Sequence, residues 1–95
     1  MDGAIKYVSV SASTVAARGL AKYYGYIVTT VTATAALQIR DATAAAGGTV
    51  IDTIATGTAI GTAKLLPHPI ICSTGLVFDL NGGTGGVTLL YEGQS

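Results

Sequence analysis

Short runs of β-branched residues recur along the whole chain, and from Gly47 onward glycines, prolines and an Asn-Gly pair break it every few positions, which leaves little room for a helix there. Residues Ile5 to Ala12 alternate in part, with Val8 and Val10 on one face and Ile5, Tyr7, Ser9 and Ser11 on the other. A loop is expected around Ala16 to Gly19. Leu20 to Thr34 is the most β-rich stretch. Tyr24, Tyr26, Val28, Thr30 and Thr32 share one parity there, and Tyr23, Gly25, Ile27, Thr29 and Val31 share the other. Gly25 marks a bulge or a close backbone approach within it. From Ala33 to Ala46 a helix competes, because alanine is the best helix former. Against it, Leu37 and Ile39 lie two apart, which is strand spacing. A strand over Ala35 to Asp41 is therefore expected, then a loop through Gly48.

Thr49 to Ala55 alternates as a further short strand, and Gly57 and Gly61 place a turn between Thr56 and Thr62. Pro67-His68-Pro69 forbids a central strand and holds the backbone extended. Ile70 to Cys72 is short and apolar. Gly75 to Leu80 puts Leu76, Phe78 and Leu80 on one face. Asn81 to Gly86 reads as a glycine-rich hairpin loop opened by Asn-Gly, and Val87 to Tyr91 closes the pattern. Seven to eight short strands at this spacing predict an all-β fold: a small antiparallel β-sandwich, jelly-roll or immunoglobulin-like. The 95 residues suit a single domain, with residues 1–12 as an N-terminal arm or edge strand.

Charge narrows the function. Five basic and five acidic residues cancel, and charged residues are only 11% of the chain, against roughly 25% in average soluble domains. That balance argues against nucleic acid and against an anionic membrane surface. The start, MDGAIK, reverses the order of a signal peptide, and the longest uncharged run, Tyr23 to Ile39, is too polar and short for a membrane helix. The chain is expected to be made in the cytoplasm. Much of its surface must be Thr, Ser, Gly and Ala, which hydrate weakly and pack well against a partner. A domain this small also gains from completing its burial in an assembly. A homo-oligomer follows as the expectation; Thr-rich exposed strands in a monomer would give the same composition.

Chemistry is scarce. Gly83-Thr84-Gly85-Gly86 lacks the helix and lysine of a phosphate loop. Asp79-Leu80-Asn81-Gly82 opens like a calcium loop, but Leu90 stands where the closing Glu belongs. His68 and Cys72 are four apart, yet the prolines exclude a shared helix face and no third ligand is near in sequence. Cys72 reads as a small buried hydrophobe and His68 as a loop residue. Asp41 and Asp79 adjoin turns, where Asp commonly accepts backbone amides. No catalytic residue, cofactor or metal is expected, and the chain is read as no enzyme. The dense aromatic group, Tyr23, Tyr24 and Tyr26, suits an interface or strand packing, with glycan stacking as the lesser alternative. Together with Ile5 and Tyr7 of the N-terminal segment, these are the expected interface residues.

The blocks Tyr24-Gly25-Tyr26-Ile27-Val28, Leu37-Gln38-Ile39-Arg40-Asp41 and Ala46-Gly47-Gly48-Thr49-Val50-Ile51 resemble small virion proteins of tailed bacteriophages. Ser73-Thr74-Gly75-Leu76-Val77-Phe78-Asp79-Leu80, Gly83-Thr84-Gly85-Gly86-Val87-Thr88 and Leu89-Leu90-Tyr91 extend the resemblance. It covers about Leu20 to Tyr91, and the Thr-, Ala- and Gly-rich stretch Thr53 to Lys64 departs from it. The resemblance implies a compact β-sandwich on the particle surface, as a capsid decoration (cement) subunit or a piece of a head fibre or tail. It implies the major capsid protein or another virion component as partner, and capsid stabilisation by bridging capsomers as function. A trimer is the expected state. The alternative is a tail- or fibre-associated carbohydrate- or receptor-binding module.

Overall fold

Alternation and turn chemistry resolve into eight strands in the computed structural model, which describes residues 5–44 and 47–93. They are β1 (Lys6–Val10), β2 (Thr14–Arg18), β3 (Ala21–Ala33), β4 (Leu37–Asp41), β5 (Thr49–Ile54), β6 (Ala63–Cys72), β7 (Gly75–Asp79) and β8 (Thr84–Gly93). Two four-stranded antiparallel sheets result, β1-β8-β3-β6 and β2-β7-β4-β5. The pairs β1–β8, β2–β7, β3–β6 and β4–β5 are nested, so the chain is a long antiparallel ribbon rolled up about β4–β5. Additional pairing of β8 with β3 and of β7 with β4 completes each sheet. That is the jelly-roll strand order, and it resolves the choice between jelly-roll and immunoglobulin-like sandwiches. Residues 1–4 of the expected arm, residues 45–46 of the expected loop and residues 94–95 lie outside the described residues.

Between the sheets sits one apolar core. Tyr23, Tyr26, Val28, Val87, Leu89 and Tyr91 come from the first sheet, and Leu37, Ile39, Ile54, Leu76 and Phe78 from the second. Each set follows strand alternation, one side chain in two turned inward, except between Tyr23 and Tyr26, where β3 carries an extra residue. Cys72 is fully buried with them. Burial, and secondarily Asp41, pushes its thiol pKa up to about 11, consistent with packing. Asp41 accepts the backbone amides of Ser73, Thr74 and Gly75 at 3.2, 2.9 and 3.3 Å, which fixes the β6–β7 turn. Asp79 accepts the amide of Asn81 at 2.9 Å.

Three local expectations need correction. Ala16 to Gly19 is not a loop: Thr14–Arg18 is β2. An extra residue, Ala16, shifts its register against β7 between Val15 and Ala17, so Ala16 and Ala17 are both buried and the alternation that marks a strand is lost. The Asn81–Gly86 segment is not a hairpin loop. Asn81 and Gly82 do form a tight turn, with φ of +54° and +82° and the Gly83 amide bonded to the Leu80 carbonyl at 2.9 Å. That turn carries the chain from one sheet to the other, and β8 already begins at Thr84. The third is β6, which continues as one strand through both prolines. It does so as an edge strand: between Leu65, opposite Gly25, and Ile70, opposite Tyr23, residues 66–69 are left out of the pairing. The bar on a central strand there stands. Where a helix competed, residues 34–44 bend, form strand β4 and bend again, with no helix among the described residues.

Candidate interaction surface

The three tyrosines show how the fold sorts side chains. β3 gains one residue, Tyr24, against β8: Tyr23 faces Tyr91, and Gly25 faces Leu90. The bulge resets the alternation, so Tyr23 and Tyr26 both turn inward although they are three apart. Gly25 makes it sterically feasible. Its φ is +141°, and a Cβ there would stand 1.8 Å from the Lys64 carbonyl oxygen. Tyr24, the bulged residue, stays half-buried.

Inside, Tyr23 has a polar partner. Its hydroxyl donates to Asp52 Oδ2 at 2.9 Å, and Lys64 Nζ donates to Asp52 Oδ1 at 2.8 Å. Asp52 is on β5 of one sheet and the other two are on β3 and β6 of the opposite sheet, so this triad clamps one open rim of the sandwich. Burial, and then the Asp52 carboxylate, drives the Tyr23 phenol pKa far above its usual value. Burial and Asp52 raise Tyr26 as well, with Lys64 opposing. The hydrogen bond that Lys64 donates to Asp52, and then the carboxylate's charge, raises the Lys64 pKa despite some desolvation. A protonated phenol and a protonated lysine both held on a carboxylate make a structural clamp and lack a free nucleophile or base.

The outer face of the β1-β8-β3-β6 sheet is different in kind. Pairing puts Tyr7, Leu90, Gly25 and Leu65 in one row across all four strands. Beside it run Ser9, Thr88, Ile27 and Ala63. On the other side Lys22 stands between Glu92 and Ile71. Tyr7 is 69% exposed, Leu65 67% and Ile71 54%, with Ile5 and Ile27 also exposed. The charges on this face are few and mostly matched: Lys22 Nζ lies 3.7 Å from Glu92 Oε1. Exposed apolar side chains on both edge strands of one sheet face, with Ile27 between them, mark a candidate interaction site.

Of the expected interface residues, Ile5, Tyr7 and Tyr24 therefore belong to or border this face, while Tyr23 and Tyr26 lie in the core. Ile27, Leu65, Ile71 and Leu90 escaped the sequence reading. Ile27 was visible as an alternating apolar residue, but its side of the sheet depends on the bulge at Tyr24. Leu65 and Tyr7 become neighbours in a row only through the non-local pairing of β1 with β8 and of β3 with β6. Among the described residues no three of His, Cys, Asp and Glu cluster as metal ligands, and no helix is long and apolar enough to cross a membrane. His68 is exposed in the part of β6 that leaves the pairing.

In comparisons with known proteins, no family model, no curated protein and no solved structure matches the chain.

Proposed function

We propose that this protein is a non-enzymatic structural subunit of a bacteriophage virion, acting as a capsid decoration (cement) protein on the particle surface. The observation that carries the reading is the apolar outer face of the β1-β8-β3-β6 sheet, on a chain whose formal charge is zero. The resemblance of its strand blocks to small virion proteins supplies the setting. A cement subunit works by covering surface. Each copy removes apolar side chains from water at roughly 25 cal/mol per Å², and many copies sum weak contacts into a strong restraint on the particle. The molecule measures 34 × 25 × 18 Å, so a broad side is comparable to the roughly 800 Å² that each partner contributes to a standard interface.

A glycan-stacking module needs its rings together on the surface. Tyr23 and Tyr26 are buried and only Tyr24 is half-exposed, so the structural reading is the better supported of the two. Purified protein added to undecorated capsids is expected to bind at saturable stoichiometry and raise their disruption temperature in a thermal-shift assay. Leu65→Lys with Ile71→Lys is expected to abolish that gain. Capsids that bind no protein, or bind it with no gain in temperature, refute the cement role.

A further inference from the structure

A β-sandwich exposes four strand edges, and monomeric proteins blunt such edges against pairing with bulges, prolines or charges. Here three of the four are blunted. β6 leaves residues 66–69 out of its pairing and holds Pro67 and Pro69, which donate no amide hydrogen. β2 carries the extra residue Ala16. β5 carries the extra residue Ile51, where its register against β4 shifts between Ile39 and Arg40. β1 alone pairs with its neighbour over its full length, Lys6 to Val10, without a shift. It has no proline, and its one charged side chain does not guard the edge: Lys6 Nζ is occupied by the Gly93 carbonyl at 2.8 Å. Its outward residues include Tyr7, the most exposed large apolar side chain, with Ile5 just before the strand.

We infer that two copies of this chain associate about a twofold axis by antiparallel pairing of their β1 edges, joining their two four-stranded sheets into one of eight strands. An antiparallel edge is self-complementary, which is what a twofold interface requires. Electrostatics permit it, because five basic and five acidic residues leave no net repulsion between copies. Centred on Val8, the pairing sets Lys6 against Val10 of the partner subunit and Tyr7 against Ser9 of the partner subunit. No like charges meet. The two Tyr7 rings become diagonal neighbours, about 7–8 Å apart at the backbone and within reach of aromatic side chains. The apolar rows of both copies then run on as one surface. A ring closed through the sheet edges, such as a trimer, would need β1 of one copy to pair with β6 of the next, and the prolines and omitted residues of β6 stand in the way.

This inference rests on the edges and not on the virion reading: a dimer that binds no particle keeps it, and a monomer that binds particles overturns it alone. Sedimentation velocity on the full chain from about 10 to 300 µM spans the affinities of modest homodimers. The expected mass is 2 × 9.5 kDa, or 19 kDa. Tyr7→Lys, at an exposed side chain, is expected to weaken association at least tenfold with an unchanged circular dichroism spectrum. Leu65→Lys, at the far edge of the same face, is expected to leave the dimer intact. Hydrogen exchange supplies a check free of mutation: alternate amides of β1 should gain protection as concentration rises. A wild-type mass of 9.5 kDa throughout, a trimer, or a dimer that survives Tyr7→Lys and is lost with Leu65→Lys would each overturn the proposal.

Discussion

The two outer faces of the sandwich share one core and differ in how they are finished. On the β2-β7-β4-β5 sheet, Arg40 Nε donates to Asp79 Oδ2 at 3.1 Å and Arg40 Nη1 donates to the Gly47 carbonyl at 3.2 Å. A third bond runs from Arg40 Nη2 to Gln38 Oε1. Val77, paired with Arg40 and Val15, is fully buried although it belongs to an outer face. That face covers Val77 and pairs Arg40 with Asp79, and only its edge strand β5 leaves a large apolar side chain, Val50, exposed. The β1-β8-β3-β6 face leaves Tyr7, Leu65 and Ile71 exposed. The chain thus spends two of its ten charged residues, Arg40 and Asp79, on closing one face while the other stays apolar. A sheet face left so beside one so well closed points to burial still to be gained from outside the chain.

Substitution can break that contrast, and the largest effect is expected where the apolar face takes its shape. Gly25→Ala would force a Cβ into the Lys64 carbonyl at a positive φ. A cost of about 3 kcal/mol or more is expected, seen as a fall in Tm of roughly 12 °C or beyond; an unchanged Tm would mean the bulge is not what fixes the face. Next comes the closed side. Asp79→Ala leaves the Arg40 guanidinium, whose side chain is only 15% exposed, without its carboxylate. Chemical denaturation should show a loss of about 2–3 kcal/mol, and Asp79→Leu combined with Arg40→Met should restore most of it.

The third effect depends on pH. Partial burial alone would raise the Asp41 carboxyl, but the amides of Thr74, Gly75 and Ser73 outweigh it and hold its pKa below the ordinary value. A folded-state pKa below the unfolded one gives stability that is present at neutral pH and fades as pH falls below about 4. Asp41→Asn should therefore lower Tm at pH 7 and flatten its decline toward pH 2; parallel curves for the two proteins would exclude Asp41 as a source of acid sensitivity. Smallest of all, Leu65→Ser and Ile71→Thr should each change stability by no more than about 0.5 kcal/mol, yet reduce binding of an apolar dye. Val77→Ser, on the closed face, should cost several times more. Equal costs on both faces would erase the distinction.

How far the sequence carried the structure depends on whether pairing was local. Strand existence was legible wherever alternation survived, as in Leu37-Gln38-Ile39 and Leu76-Val77-Phe78. The bulge at Gly25 was legible because glycine inside a β-rich run has few other reasons to be there. β2 was hidden because the extra residue Ala16 removes its alternation. The course of the chain after Asn81-Gly82 was hidden because the same tight turn serves a hairpin or a crossing between sheets, and only β8's partners decide. The surface was half visible: Tyr7 and Ile5 stand out in a strand of alternating residues, whereas Leu65 and Ile71 lie beside prolines that interrupt the strand pattern. Tyr23 and Tyr26 drew attention as aromatics, but their burial follows from one added residue at Tyr24.

The nested pairing also sets an order in time. Only β4 and β5 are joined by a short connection and paired with each other, so the hairpin between them is the piece that can form before the rest of the chain is present. Every other pair closes a longer loop than the one inside it, and β1 meets β8 across nearly the whole sequence. Refolding should accordingly fall in the roughly millisecond-to-second range of all-β sandwiches. On the ribosome, β1 emerges well before its partner β8 and must wait for it. Through that interval both of its edges are open, and a neighbouring nascent chain exposes the same strand.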